Sequence, residues 1–84
     1  MPAQEGNSQA LLEYIVKSLV DEPDEVSVTE SSHGRETVLH LSVSQPDMGR
    51  VIGKNGRVIN SIRALVQVAA AKEGRQASIE IVEH

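Results

Sequence analysis

Two glycines three positions apart enclose the segment with the most specific chemistry. Gly53 and Gly56 bracket Lys54 and Asn55 between two helical patterns. Glycine has no Cβ, so the backbone can approach a ligand closely there and adopt positive φ. The turn opens a long helix, whose first N–H groups lack internal partners and attract anions. Lys54 and Arg57 place positive charge at the helix N-terminus, which is itself partly positive. A bound phosphate would offset both the basic side chains and the helix dipole.

Two other phosphate-binding motifs do not fit this segment. A P-loop needs four residues between its glycines, then Gly-Lys and Ser or Thr. Here three residues separate Gly49 from Gly53, and Asn55 follows Lys54. The segment also follows a helix rather than a strand, which argues against a dinucleotide-binding fingerprint. A plain helix–turn–helix corner with incidental basic residues is the structural alternative.

The charge is distributed unevenly along the chain. The 84 residues contain 8 Lys and Arg against 12 Asp and Glu, a net charge of −4. Residues 1–45 hold eight acids and two bases, whereas residues 46–75 hold six bases and two acids. An acidic chain that concentrates its bases in one stretch fits a local anion site, and a solvated charged surface is the alternative.

Composition limits the class of protein. With 84 residues, 39% apolar and 24% charged, the chain fits one globular domain. Tyr14 is the only aromatic residue, so Val, Ile, Leu and Ala must build the core. The lack of cysteine excludes a disulfide framework, a thiolate zinc site and a cysteine nucleophile. No apolar run could span a bilayer and residues 1–8 do not resemble a signal peptide, so we expect a cytoplasmic protein.

The hydrophobic pattern of the first half predicts a helix and a hairpin. Apolar residues recur at helical spacing from about residue 8 to Val20, after a flexible tail of residues 1–7. Two alternating segments, residues 26–29 and 37–43, then flank a turn at residues 31–34 and predict an antiparallel pair of strands.

The second half predicts a crossover that returns to the same sheet. Ser44 can cap a short helix, and Asp47 suits its positive end. A long helix from Arg57 to about Lys72 and a strand at residues 77–81 follow. Because two helices join the second and third strands, these strands can be parallel. Residues 8–84 therefore form one α+β domain, of order α-β-β-α-α-β, with helices on one face of a three-stranded mixed sheet. The long-helix residues predicted to face the sheet are Val58, Ile59, Ile62, Leu65, Val66, Ala69 and Ala70.

The sequence VIGKNGRVI at residues 51–59 resembles the signature of KH (K-homology) RNA-binding domains, with its Gly-x-x-Gly (GXXG) loop. The order of elements is similar to the type II KH topology of prokaryotes. Residues 47–57 and 69–72, with the short chain, resemble the KhpA family of small bacterial single-KH proteins. The resemblance implies non-catalytic binding of short single-stranded RNA, as a post-transcriptional regulator or RNA chaperone. It also implies a dimer with itself or with a second, KhpB-like KH protein.

The predicted RNA contacts centre on the loop. Arg57 adjoins it, and Arg50 on the short helix could reach a phosphate or be merely solvated. In type II domains the loop after the long helix lies beside the groove, which adds two further bases as the resemblance implies. Arg63 is interpreted as a side chain that covers the edge of the core. The predicted RNA-binding residues are Gly53, Lys54, Asn55, Gly56, Arg57, Arg50, Lys72 and Arg75.

The long helix also carries a row of small residues away from its apolar face. Ser61, Ala64, Val68 and Ala71 repeat at three-four-three spacing, which would let another helix approach. Surface alanine chosen for helix propensity alone is the alternative. The rival function of another class is a protein-interaction subunit that uses the fold to recruit a partner.

The sequence contains no pattern typical of an enzyme or a metal site. His33 falls in a turn, His84 is terminal, and His40 has no second ligand at a metal-binding spacing. Nothing places Ser, His and Asp as a triad. We therefore expect no catalysis, cofactor, metal, small-molecule substrate or membrane partner.

Overall fold

Residues 7–82 form three α-helices and three strands in the predicted order. The computed structural model describes residues 7–82. Asn7, which the prediction assigned to the tail, is the first residue of the first helix, and the other six tail residues and His84 lie outside the described residues. The helices are α1 (Asn7–Leu19), α2 (Met48–Ile52) and α3 (Arg57–Lys72), and the strands are β1 (Ser27–His33), β2 (Glu36–Ser42) and β3 (Gln76–Ile81).

The strands form one mixed sheet in the order β1-β2-β3. β1 pairs with β2 antiparallel and β3 pairs with β2 parallel, because the chain crosses over through α2 and α3 between them. This arrangement confirms the α+β class and the type II KH-like topology. The predicted turn at residues 31–34 begins too early, because β1 continues to His33 and the turn is Gly34–Arg35. Gly34 supplies the positive φ, 63°, that such a tight turn requires.

The core lies between the helices and one face of the sheet. Leu39 and Leu41 of β2 are fully buried against Leu12 and Val16 of α1 and the apolar face of α3. Of the helices in residues 7–82, none combines the length and apolar character needed to cross a membrane. The buried residues of α3 are Ile59, Ile62, Val66 and Ala70.

Leu65 does not face the sheet as predicted. Its side chain is 54% exposed, whereas Val66 is fully buried. Successive residues of an α-helix are rotated by about 100°, so Leu65 lies at the margin of a core face narrower than the apolar arc of the sequence. This leaves an apolar side chain on the surface of α3.

Asp47 has a different role from the one predicted. It is 1% exposed and accepts hydrogen bonds from the backbone N–H groups of Asp21 (3.1 Å) and Glu22 (3.0 Å). The Ser44 hydroxyl donates to the same carboxylate at 3.0 Å, and no side-chain cap bond is made at either Ser44 or Asp47. The carboxylate therefore ties the connection after α1 to the start of α2, a long-range contact that local helix signals do not reveal.

Candidate nucleic-acid interface

Gly53 fixes the path of the chain from α2 into the loop. Its backbone has φ 76° and ψ 171°, a conformation essentially restricted to glycine. A Cβ at this position would overlap the Val58 side chain and lie 2.9 Å from the Val58 backbone nitrogen. Glycine is therefore required twice, for its backbone conformation and for the close approach of the loop to the first turn of α3.

The loop itself is a single 3₁₀ turn, Lys54–Gly56, with two left-handed residues. Asn55 has φ 57° and Gly56 has φ 75°. The N–H of Gly56 donates to Gly53 and that of Arg57 to Lys54. Within residues 7–82 the N–H groups of Lys54 and Asn55 have no hydrogen-bond partner. Two adjacent backbone donors are therefore free at an exposed turn, as an anion site requires.

The two cations beside these donors are exposed and have no carboxylate partner in the described part of the chain. Lys54 belongs to the turn and Arg57 is the first residue of α3. By contrast, Lys17 is paired with Glu13 at 2.9 Å. In an acidic protein, unpaired cations beside free N–H groups make this loop a positive site.

Arg50, unlike Lys54 and Arg57, is paired with carboxylates. Its guanidinium contacts Asp21 at 3.1 Å and Asp47 at 3.7 Å. These contacts hold it against the connection after α1 and offset its charge with two carboxylates. A phosphate that binds Arg50 would have to compete with Asp21, so the structure separates Arg50 from the unpaired loop cations.

Lys72 and Arg75 lie at the opposite end of α3 from the loop. A helix of 16 residues is about 24 Å long at 1.5 Å per residue, so these bases cannot share one phosphate with Lys54 or Arg57. Arg75 donates to the Thr37 hydroxyl at 3.0 Å and to the Ser32 hydroxyl at 2.9 Å. Lys72 and Arg75 are thus separated from the loop cations by the length of α3.

The structure adds a polar track that sequence reasoning missed. An ideal Cβ on Gly56 would lie 3.7 Å from Asn60 Nδ2, and Asn60 Oδ1 accepts a hydrogen bond from Arg63 at 3.3 Å. Arg63 also donates to the carbonyl of Ile79 on β3 at 3.5 Å. This polar track (Gly56, Asn60, Arg63 and the Ile79 carbonyl) runs from the loop to the sheet. The four-three spacing of Gly56, Asn60 and Arg63 indicates that they share one side of α3. No local pattern indicates that this side ends at β3.

The row of small residues predicted on α3 is exposed. Val68 is 59% exposed, and Ser61, Ala64 and Ala71 are also exposed. Leu65, which the prediction had placed in the core, lies beside them and enlarges the apolar surface. We call these five residues the α3 stripe. Leu65 and Val68 therefore leave two large apolar side chains on the surface of α3.

His40 lies on the open face of the sheet and contacts Glu80 and Ser31, both at 3.4 Å. Within residues 7–82 there is no group of three or more His, Cys, Asp or Glu residues that could hold a metal ion. His40 therefore belongs to no metal-binding cluster in the part of the chain that the structure describes.

Known proteins resemble this chain over most of its length. The family model "KhpA/KhpB, KH domain" matches residues 9–81. A protein of Borreliella burgdorferi described as "RNA-binding protein KhpA" is 45% identical over 93% of this chain and 95% of its own length. A protein of Clostridium acetobutylicum with the same description is 49% identical over 86% of this chain and 96% of its own.

A solved structure supports the fold. The crystal structure of Aquifex aeolicus Era bound to GDP and aluminium fluoride superposes on 90% of this chain with a TM-score of 0.62. The match covers 29% of the Era chain at 16% sequence identity, so it supports the arrangement of the elements alone.

Proposed function

The chain belongs to the KhpA/KhpB KH-domain family, and from that premise we propose that it is a non-catalytic, cytoplasmic protein that holds short single-stranded RNA at the Gly53–Gly56 loop. It would act as a post-transcriptional regulator or RNA chaperone. The relatives described above are named as RNA-binding proteins, which supports the ligand class.

One observation carries the proposal. The loop combines two free backbone N–H groups, of Lys54 and Asn55, with the unpaired side chains of Lys54 and Arg57. Phosphate is the group that accepts from backbone N–H groups and pairs with cations at the same time. Gly53 and Gly56 give the RNA backbone room to approach these donors.

The other predicted RNA-binding bases contribute less to binding than the loop does. Lys72 and Arg75 form a second, outlying contact at the far end of α3, which a bound strand reaches only by running along the helix. Arg50 contributes after its ion pair with Asp21 opens. The affinity for RNA therefore rests first on the loop, and the other bases extend it.

We also propose that the protein works as a pair, with a second copy or with a KhpB-like KH protein. The α3 stripe would be the contact, because Leu65 and Val68 expose apolar surface beside small residues that permit close approach. A single small groove binds weakly, and linking two grooves raises the effective concentration at the second. The same stripe favours partner recruitment as the second candidate function.

The loop assignment is tested by replacing Lys54 and Asn55 together with Asp. This change places negative charge against phosphate, and we expect RNA retention in a filter assay at moderate salt to fall below detection. The control replaces Lys17 and Ser18 of α1 with Asp, which changes the net charge equally on another helix. The proposal is wrong if the folded loop variant retains RNA as well as the control does.

A further inference from the structure

We propose that the free edge of β1 binds an extended segment of another protein as a fourth strand of the sheet, and that Glu30 selects a basic residue at the centre of that segment. This inference goes beyond RNA binding, because it concerns the edge of the sheet opposite to β3. It does not depend on the Gly53–Gly56 loop.

The outer edge of β1 carries backbone groups that do not face β2. Leu41 accepts a hydrogen bond from the Val82 N–H, so the backbone groups of Leu41 face β3. Its partner in β1 is Val28. Opposed residues in an antiparallel pair alternate between exchanging two hydrogen bonds and exchanging none. Val28 and every second residue after it therefore point their backbone groups away from β2, and these residues are Val28, Glu30 and Ser32.

One of these outward groups has a partner in the described part of the chain. The Gln9 side chain donates to the Val28 carbonyl at 2.8 Å, in agreement with the outward direction. The Val28 N–H and both backbone groups of Glu30 and Ser32 have no hydrogen-bond partner within residues 7–82. β1 has seven residues without proline, and its register with β2 is continuous. Free donors and acceptors along such a strand are a template for pairing with another strand.

Glu30 lies near the middle of this edge. It is paired with the buried Leu39, so its side chain projects on the face that the helices cover, and it is nevertheless exposed. Its carboxylate accepts a hydrogen bond from the Ser32 hydroxyl at 3.2 Å. Arg75 donates to that hydroxyl at 2.9 Å, but no basic side chain in residues 7–82 forms an ion pair with Glu30. The centre of the edge therefore presents an unpaired negative charge.

This charge determines which strand can add. Residues directly opposite each other on neighbouring strands stabilise the pair when their charges are opposite and destabilise it when the charges are alike. A second copy that adds its own β1 antiparallel about the same centre would place Glu30 opposite Glu30. A lysine or arginine at that position would instead be stabilised, and Asp24 and Glu25, exposed and without ion pairs just before β1, would attract further basic residues. The occupant that fits is an extended basic segment of another protein, held by main-chain bonds.

The test uses two end-blocked peptides of seven residues, composed of valine and threonine and differing only in a central lysine or glutamate. Valine and threonine favour the extended conformation. We expect the lysine peptide to slow amide hydrogen exchange at Val28, Glu30 and Ser32, and to bind about fivefold more tightly than the glutamate peptide. The N–H groups of Thr29 and Ser31 face β2, so their exchange should not change.

Variants of the protein separate pairing at the edge from general attraction between charges. Glu30→Lys should reverse the preference, so that the glutamate peptide binds more tightly. Glu36→Lys changes the net charge equally at an exposed position of β2, and it should keep the wild-type preference. An equal loss of preference in both variants would assign the effect to net charge and overturn the proposal. Protection by neither peptide, or protection of the β3 edge in place of the β1 edge, would also overturn it.

Discussion

At the scale of single residues, the site depends on backbone conformations that few residue types can adopt. Gly53 combines positive φ with contact against Val58, and Asn55 takes a left-handed conformation that Asn tolerates better than most residues. Asp47 acts from the other end of α2, where its buried carboxylate binds two backbone N–H groups. Gly53 and Asn55 therefore set the path of the loop, and Asp47 holds the start of α2.

Replacing Gly53 with Ala should destabilise the fold as well as the loop. A strained backbone position costs about 1–3 kcal/mol, and the new methyl group would also collide with Val58. We expect the melting temperature to fall by roughly 8 °C or more, since about 1 kcal/mol corresponds to 4–8 °C in a domain of this size. Gly49→Ala is the control, because that helical position has nothing within 4 Å of an added Cβ. It should leave stability unchanged or raise it.

The lowered pKa of Asp47 should make the free energy of unfolding depend on pH in the acidic range. The backbone N–H of Asp21 is the main cause that lowers the pKa of the Asp47 carboxyl below 3.8; burial opposes this, and Glu22, Ser44 and Arg50 assist. A lowered pKa in the folded state means that the contribution to stability is present above the unfolded pKa and is lost as pH falls through the folded value. We expect the urea midpoint of wild type to fall steadily below about pH 4.

The Asp47→Asn variant isolates this contribution. It should be less stable than wild type at neutral pH, and its urea midpoint should change less over the acidic range. Asp24→Asn, at an exposed position in the turn before β1, serves as the control. An acid dependence in Asp47→Asn as steep as in wild type would assign the effect to other carboxyl groups.

At the scale of elements, α3 serves three surfaces at once. One face buries Ile62 and Val66 against the sheet, a second carries the polar track through Asn60 and Arg63, and a third exposes Leu65 and Val68. Because a helix places residues three and four apart on the same side, the proposed RNA-binding and partner surfaces can occupy one helix without overlapping.

The α3 stripe is tested by Val68→Glu combined with Ala64→Arg. We expect wild type to sediment as a dimer at tens of micromolar, a working range of about this order for a weak pair. The variant should be a monomer, because charge would replace the apolar contact. A wild-type monomer would exclude self-association in this range, and a dimeric variant would place the interface elsewhere. Gln67→Glu on the same helix is the control for added charge.

At the scale of the whole molecule, the charge is separated into an acidic first half and a basic central segment. The loop lies in the basic segment, while Asp21, Glu22, Asp24 and Glu25 follow α1. If RNA binds at the loop as proposed, the acidic half should repel nucleic acid from the rest of the surface. This limits the number of phosphates that the protein contacts at one time.

Binding should therefore weaken with salt, but on a shallow slope. With about two to four phosphates contacted, the slope of log K against log salt is about −1.4 to −2.8 for a single strand. Lys54→Gln should reduce the magnitude of that slope by about 0.7, whereas Lys17→Gln should leave it unchanged because Lys17 lies on α1, outside the loop. A salt titration with no slope would contradict phosphate binding by the loop.

The sequence alone determined the elements, their order and the loop. These depend on local patterns: helical and alternating periods, and glycines whose φ follows from neighbours in the chain. The tertiary structure decided what depends on contacts between distant residues. It buried Asp47 against the turn after α1, paired Arg50 with Asp21, separated Lys72 and Arg75 from the loop by the length of α3, and brought Arg63 to the edge of β3. Periodicity gives the direction of a side chain around its own helix, but only the packing of elements determines what that side chain meets.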